Sequence, residues 1–189
     1  MEEISSRPNP MNHAMRWGLL IGACFAVNFL LSVSGIVWLN VLTYLIEILI
    51  LVLAWRFAKN YRDQECGGVI TFGRAWTYIF MLFFFASLIG GIVKFVYLQW
   101  INPEYLANIL SQSMIILEQA KIEIPQDSIN LIEQLLTPIY YTFQNIMADM
   151  FLGAILGLIY APFLKRKEIE QTDIVEQDEA DINNSTPLE

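Results

Sequence analysis

Residues 17–33, WGLLIGACFAVNFLLSV, run into Ser34-Gly35 and then into residues 36–57, IVWLNVLTYLIEILILVLAWRF. Between Trp17 and Arg56 the only charged side chain is Glu47. Each run is long and predominantly apolar, as expected of a helix solvated by hydrocarbon rather than by water. A two-residue joint between them leaves room only for a tight antiparallel helical hairpin. Two more runs of the same kind follow, Ala75 to Leu98 and Ile139 to Phe163. At 1.5 Å per residue the four segments reach roughly 25 to 37 Å, which brackets the thickness of a bilayer core.

The composition agrees, since 56% of the residues are hydrophobic. The expected fold class is therefore all-α: a polytopic membrane protein with four transmembrane helices, about 17–33, 36–57, 75–98 and 139–163. Residues 1–16 precede the first helix, and 17–167 form the transmembrane domain. The net charge of −8 owes much to the acidic tail 168–189. That tail has too little apolar surface to offset its ordering entropy and is expected to be disordered.

Lys and Arg residues set the orientation. Arg7 and Arg16 precede the first helix, Arg56, Lys59, Arg62 and Arg74 surround the second connection, and Lys165, Arg166 and Lys167 follow the fourth helix. The positive-inside bias places all three regions, and both termini, in the cytoplasm. Residues 99–137 carry Lys121 against Glu104, Glu118, Glu123, Asp127 and Glu133, so they face outward. Within them Asn102-Pro103-Glu104 is a helix start, with an N-cap acceptor, a proline at the first helical position and an acid near the positive dipole end. Leu106, Ile109, Leu110, Ser113, Leu117 and Ala120 recur at helical spacing, Pro125 interrupts, and Asp127 or Ser128 is placed to cap a second short helix. The segment 102–137 is expected to form an extracytoplasmic helical hairpin packed on lipid or on the bundle.

Catalytic devices are missing from the sequence. His13 is the single histidine and is expected outside the membrane, so no multi-histidine metal site can be built. There is no phosphate-binding loop with its lysine, no nucleophile elbow and no dinucleotide fingerprint. Cys24 and Cys66 are not spaced for a metal. Ile21-Gly22-Ala23-Cys24 imitates a lipoprotein cleavage box, but the apolar run continues past it, favouring an uncleaved helix. A non-enzymatic protein without cofactor or metal is expected, in contact with the lipid bilayer and not with nucleic acid.

Thr71-Phe72-Gly73-Arg74-Ala75 opening the third helix, Ile101-Asn102-Pro103-Glu104 after it, and Gly153 with Gly157 in a last helix ending in Lys165-Arg166-Lys167 together resemble the bacterial domain-of-unknown-function family 4199. The resemblance covers about Met15 to Lys167. It implies a four-helix protein of the bacterial inner membrane and supplies neither an activity nor catalytic residues.

Ionisable side chains inside the spans are the remaining signal. Glu47 lies near the middle of the second helix, Asp149 near the middle of the fourth, and Lys94 about a turn from the outer end of the third. Each costs about 2.5 to 3.5 kcal/mol at the centre of a membrane helix on insertion scales, which drives it toward the bundle interior. Asn40, Thr43, Tyr44 and Glu47 follow a three-four spacing, as do Tyr141, Thr142, Asn145 and Asp149. Ser87, Gly90, Gly91 and Lys94 line the third helix, and Cys24, Asn28 and Ser32 the first. A buried polar cluster of Glu47, Lys94, Asp149, Asn40, Tyr44 and Asn145 is expected in the outer half of the membrane. It serves either as pairing between helices or as a proton relay. Gly18 and Gly22, then Gly153 and Gly157, are expected to allow close helix packing, within one chain or between two. Trp17, Trp38, Trp55, Trp76, Trp100 and Tyr160 fit an interfacial aromatic belt. Two functions compete: an accessory or scaffold protein that holds a membrane partner or a second copy of itself, and a small oligomeric proton- or ion-coupled transporter using Glu47, Asp149 and Lys94.

Overall fold

The computed structural model describes residues 9–121 and 125–166, and the acidic tail expected to be disordered lies outside them. The described residues form six α-helices and no strand. They are α1 (Pro10–Ser32), α2 (Val37–Asn60), α3 (Phe72–Val96), α4 (Tyr105–Gln119), α5 (Gln126–Leu135) and α6 (Pro138–Leu164). Four of these helices, α1, α2, α3 and α6, are long and apolar enough to cross a membrane. The all-helical, four-span architecture read from the apolar runs is the one the chain adopts.

Helix ends differ from the apolar runs where capping chemistry extends them. α1 starts seven residues before Trp17, because Asn9 is extended and its side chain accepts from the Met11 amide at 3.1 Å, with Pro10 in the first helical position. α2 and α3 each run on through one π turn, Tyr61–Glu65 and Tyr97–Ile101. In the connection after α3, Asn102 does not cap: α4 begins only at Tyr105, and the Asn102 side chain reaches the Tyr97 hydroxyl instead. α5 follows Pro125 directly, so Asp127 falls in its first turn rather than at its cap. Gly35 turns the α1–α2 joint at φ +70°, a conformation that costs glycine nothing.

α3 is the central helix. α1 packs along one side of it and α6 along the other, and glycines set both contacts. A methyl group added at Gly22 would meet Ile89 Cβ at 2.8 Å and the Ala86 carbonyl at 2.9 Å; one at Gly18 would meet Phe85 Cβ at 2.8 Å. On the other side Gly153 lies against Phe83 and Gly157 against Trp76. Neighbouring Gly90 and Gly91 divide the work on α3 itself, one receiving Phe25 of α1 and the other Ile146 of α6. All four sequence-predicted packing glycines thus lie at contacts within the chain. Lipid tails are as apolar as leucine, so close van der Waals approach of this kind is what holds membrane helices together. Ile21, Ile79, Leu82, Phe83 and Ala86 are completely buried between the three helices.

α2 is attached more loosely. It lies against α1 and meets α6 where Trp55 packs edge-on against Tyr160, whose hydroxyl reaches the Leu51 carbonyl at 3.4 Å. Its outward face leaves Val41, Leu45, Ile48, Leu49 and Val52 exposed, a surface suited to hydrocarbon. The α4–α5 hairpin is tied to the bundle end by Leu106, buried with Phe29 and Leu98.

Candidate functional site

The fourth spanning helix presents Tyr141, Asn145 and Asp149 at intervals of four, one above another on a single face. Asn145 Nδ2 donates to the Tyr141 carbonyl at 2.8 Å, which fixes the amide so that its oxygen turns toward α3. Lys94 Nζ donates to that oxygen at 3.2 Å and lies 3.5 Å from Asp149 Oδ2. The Lys94 side chain is 12% exposed and that of Asp149 21%, so the pair is shielded but not sealed. Within membrane helices, an ion pair reinforced by an amide is a favourable way to carry two charges.

The pair forms one wall of a cavity of about 470 Å³ between all four spanning helices. α1 contributes Phe25, Asn28, Phe29 and Ser32, and α2 contributes Thr43, Glu47, Ile50 and Leu51. The Ser32 hydroxyl donates to the Phe29 carbonyl and that of Thr43 to the Asn40 carbonyl, each at 2.7 Å. Their protons are thereby used within their own helices. Asn28 Oδ1 is buried and, among the described residues, accepts no hydrogen bond. Thr142 Oγ1, on α6 beside Gly91, is a second buried atom of this kind.

The sequence-predicted residues separate into two groups here. Lys94, Asp149 and Asn145 are joined by direct contacts, and Glu47 faces them across the cavity. Glu47 itself is exposed, and among the described residues Lys94 pairs with Asp149 and not with Glu47. Asn40 and Tyr44 do not join the cavity wall. Tyr44 is 66% exposed, and Asn40, in the first turn of α2, is exposed as well. Helical spacing groups side chains on one face of α2, but of that stripe only Thr43 and Glu47 line the cavity.

A second polar group lies at the opposite end of the bundle. His13 is packed among α1, α3 and the turn after α2. Trp17 Nε1 donates to His13 Nε2 at 3.1 Å, and an indole N–H can only donate, so the imidazole carries its proton on Nδ1. That nitrogen lies 2.8 Å from the Tyr78 hydroxyl and donates to it. Tyr78 in turn stacks on Tyr61 with centroids 4.3 Å apart and rings parallel within 2°, and Arg74 Nε donates to the Tyr61 hydroxyl at 3.3 Å. The signal that could have found this group was Asn9-Pro10, a helix start that brings His13 and Trp17 onto one face at i and i+4. At the end of the bundle that carries α4, burial together with Tyr141 and Tyr97 raises the Tyr105 hydroxyl above its ordinary range.

The model of a family described as "Protein of unknown function (DUF4199)" matches residues 16–166, and the chain belongs to that family. No curated protein and no solved structure matches it.

Proposed function

We propose that this member of the DUF4199 family is a non-enzymatic accessory protein of the bacterial inner membrane that holds a partner's membrane helix in the cleft between α2 and α6. The proposed orientation puts the termini and the basic end in the cytoplasm and the α4–α5 hairpin outside. What supports it is the contrast between Arg56, Lys59, Arg62, Arg74, Lys165 and Arg166 at one end and Glu104, Glu118, Asp127 and Glu133 in the hairpin.

The observation that carries the accessory role is Glu47. It stands near mid-span, exposed, on a wall of the polar cavity, with its potential cationic partner already held by Asp149. An ionised carboxylate left facing lipid there costs about 2.5 to 3.5 kcal/mol on insertion scales. A partner helix bringing a donor to Glu47 removes that cost, and residues of both α2 and α6 line the cavity that Glu47 borders. A photo-crosslinking residue in place of Tyr44, which flanks Glu47, should give one discrete protein adduct in cells, and Glu47→Leu should abolish it. Adducts with lipid alone at that position would overturn the reading.

The cavity favours a second reading. A space of about 470 Å³ holds several waters, and it sets two carboxylates, Glu47 and Asp149, against one ammonium. Such a lining suits a proton or a small cation, the transporter alternative.

A further inference from the structure

We propose that the groove between α1 and α2 at the basic end of the bundle is a binding site for the headgroup of an anionic phospholipid.

The groove has a volume of about 590 Å³, and its lining is both apolar and basic. Trp17, Val52, Trp55 and Phe57 are its apolar lining, with Trp17 stacked on the buried Phe57 at 4.4 Å. Arg56, Lys59 and Asn60 line it as well. Neither Arg56 nor Lys59 makes an ion pair among the described residues. Asp63 also lines the groove; Arg62 Nε donates to its carboxylate at 2.7 Å and Lys59 and Arg166 act on it as well, so this one acid faces an excess of cations. The ligand indicated is therefore an anion with several acceptor oxygens, and a phosphate matches the planar donors of Arg56 and the point charge of Lys59.

What makes the ligand a lipid rather than a soluble phosphate is continuity with the hydrocarbon surface. Leu45, Leu49 and Val52 are exposed, and at spacings of four, three and four they form a single ridge on α2 that leads to Arg56. An acyl chain lying along that ridge delivers its phosphate to the groove. A soluble ion would leave the ridge and the Trp17–Phe57 stack unused. Basic pockets at helix ends, with tryptophan at the interfacial depth, are the setting in which anionic headgroups bind membrane proteins.

The test uses the full chain, freed of lipid and mixed in detergent with equal amounts of phosphatidylglycerol and phosphatidylcholine, with bound lipid read by native mass spectrometry. Retention of one phosphatidylglycerol in preference to phosphatidylcholine is expected. R56Q and K59Q should each weaken it about five-fold, the scale of one basic residue near an anionic surface. K121Q, in the α4–α5 connection, should leave it unchanged. Equal retention of the two lipids, or no effect of R56Q and K59Q, would overturn the proposal. Displacement of the lipid by excess inorganic phosphate would overturn it too, reassigning the groove to a soluble anion. A readout without substitutions guards against misfolded variants: phosphatidylglycerol brominated on its chains should quench tryptophan fluorescence of the unmodified protein more than brominated phosphatidylcholine does, and equal quenching would count against the site.

Discussion

Lys94 of α3 and Asp149 of α6 meet at 3.5 Å within a contact otherwise made from glycine, phenylalanine and isoleucine. Removing either partner leaves one charge shielded from water without its counterion, which is more damaging than never having had the pair. Lys94→Met should therefore destabilise the bundle by about 2 to 4 kcal/mol, below or within the range for broken buried pairs because Asp149 keeps some exposure. Adding Asp149→Leu should recover part of that loss. Thermal unfolding in detergent, run as a double-mutant cycle, measures the coupling, and purely additive effects would show that the pair contributes nothing.

The glycine contacts give a prediction of a different kind, because what they contribute is the absence of a side chain. At Gly153 an added methyl group falls on Phe83 Cβ, an atom that cannot rotate away. Gly153→Ala should cost about 1 to 3 kcal/mol, the usual scale for overpacking a close contact. Gly73→Ala is the control, since nothing lies within 4 Å of a methyl group there. It should be neutral or slightly stabilising, because alanine favours a helix more than glycine does. Equal losses at the two sites would remove the packing argument for α3 and α6.

The contrast between these pairs shows what was legible in the sequence. Span number follows from the length of apolar runs, and close packing from Gly-x-x-x-Gly, because both are properties of one helix considered alone. Which face meets which neighbour is not such a property. Asn40 and Tyr44 belong to the same polar stripe as Glu47, yet both are exposed and neither lines the cavity, since how a helix is turned against its neighbours is set by their packing and not by its own spacing. His13 was hidden for a related reason. Its setting is made by α3 and the turn after α2, far away in the chain, and the local clue was a cap at Asn9 rather than an apolar run.

Tyr78→Phe tests that hidden group. It removes the hydroxyl that accepts from His13 Nδ1 while leaving the stack on Tyr61 intact. The expected loss is about 1 kcal/mol, a single net hydrogen bond, or somewhat more if the imidazole N–H then finds no acceptor. His13→Leu should cost more, because it also strands the Trp17 indole N–H. Melting temperatures of the two variants in the same detergent decide this, and a reversed order would mean that the ring contacts outweigh the hydrogen bonds.

Orientation is open to direct labelling. In a background carrying Cys24→Ser and Cys66→Ser, a cysteine at exposed Asn108 on α4 should react with an impermeant thiol reagent added outside intact cells. One at exposed Gln64, in the turn after α2, should react only after the cells are opened. The opposite pattern would invert the proposed topology while leaving the fold untouched.

Glu47 is where the two functional readings diverge, and two assays on the same variants separate them. It is exposed and unpaired among the described residues, so Glu47→Gln removes a costly charge without breaking an internal ion pair and should leave the isolated chain as stable as before or more so. If a partner helix covers it, the variant folds normally and loses the discrete crosslink at Tyr44, while vesicles containing the protein show no proton flux with either residue at position 47. If instead the cavity passes protons or a small cation, the unmodified chain alone dissipates an imposed pH gradient, and Glu47→Gln and Asp149→Asn each stop it. The first outcome is the one expected, because the Asp149 carboxylate is held by Lys94 and Asn145 lies against the same ammonium, an arrangement that fixes charge rather than relaying it. Flux that depends on Glu47, with no crosslink in cells, would exchange the accessory role for transport.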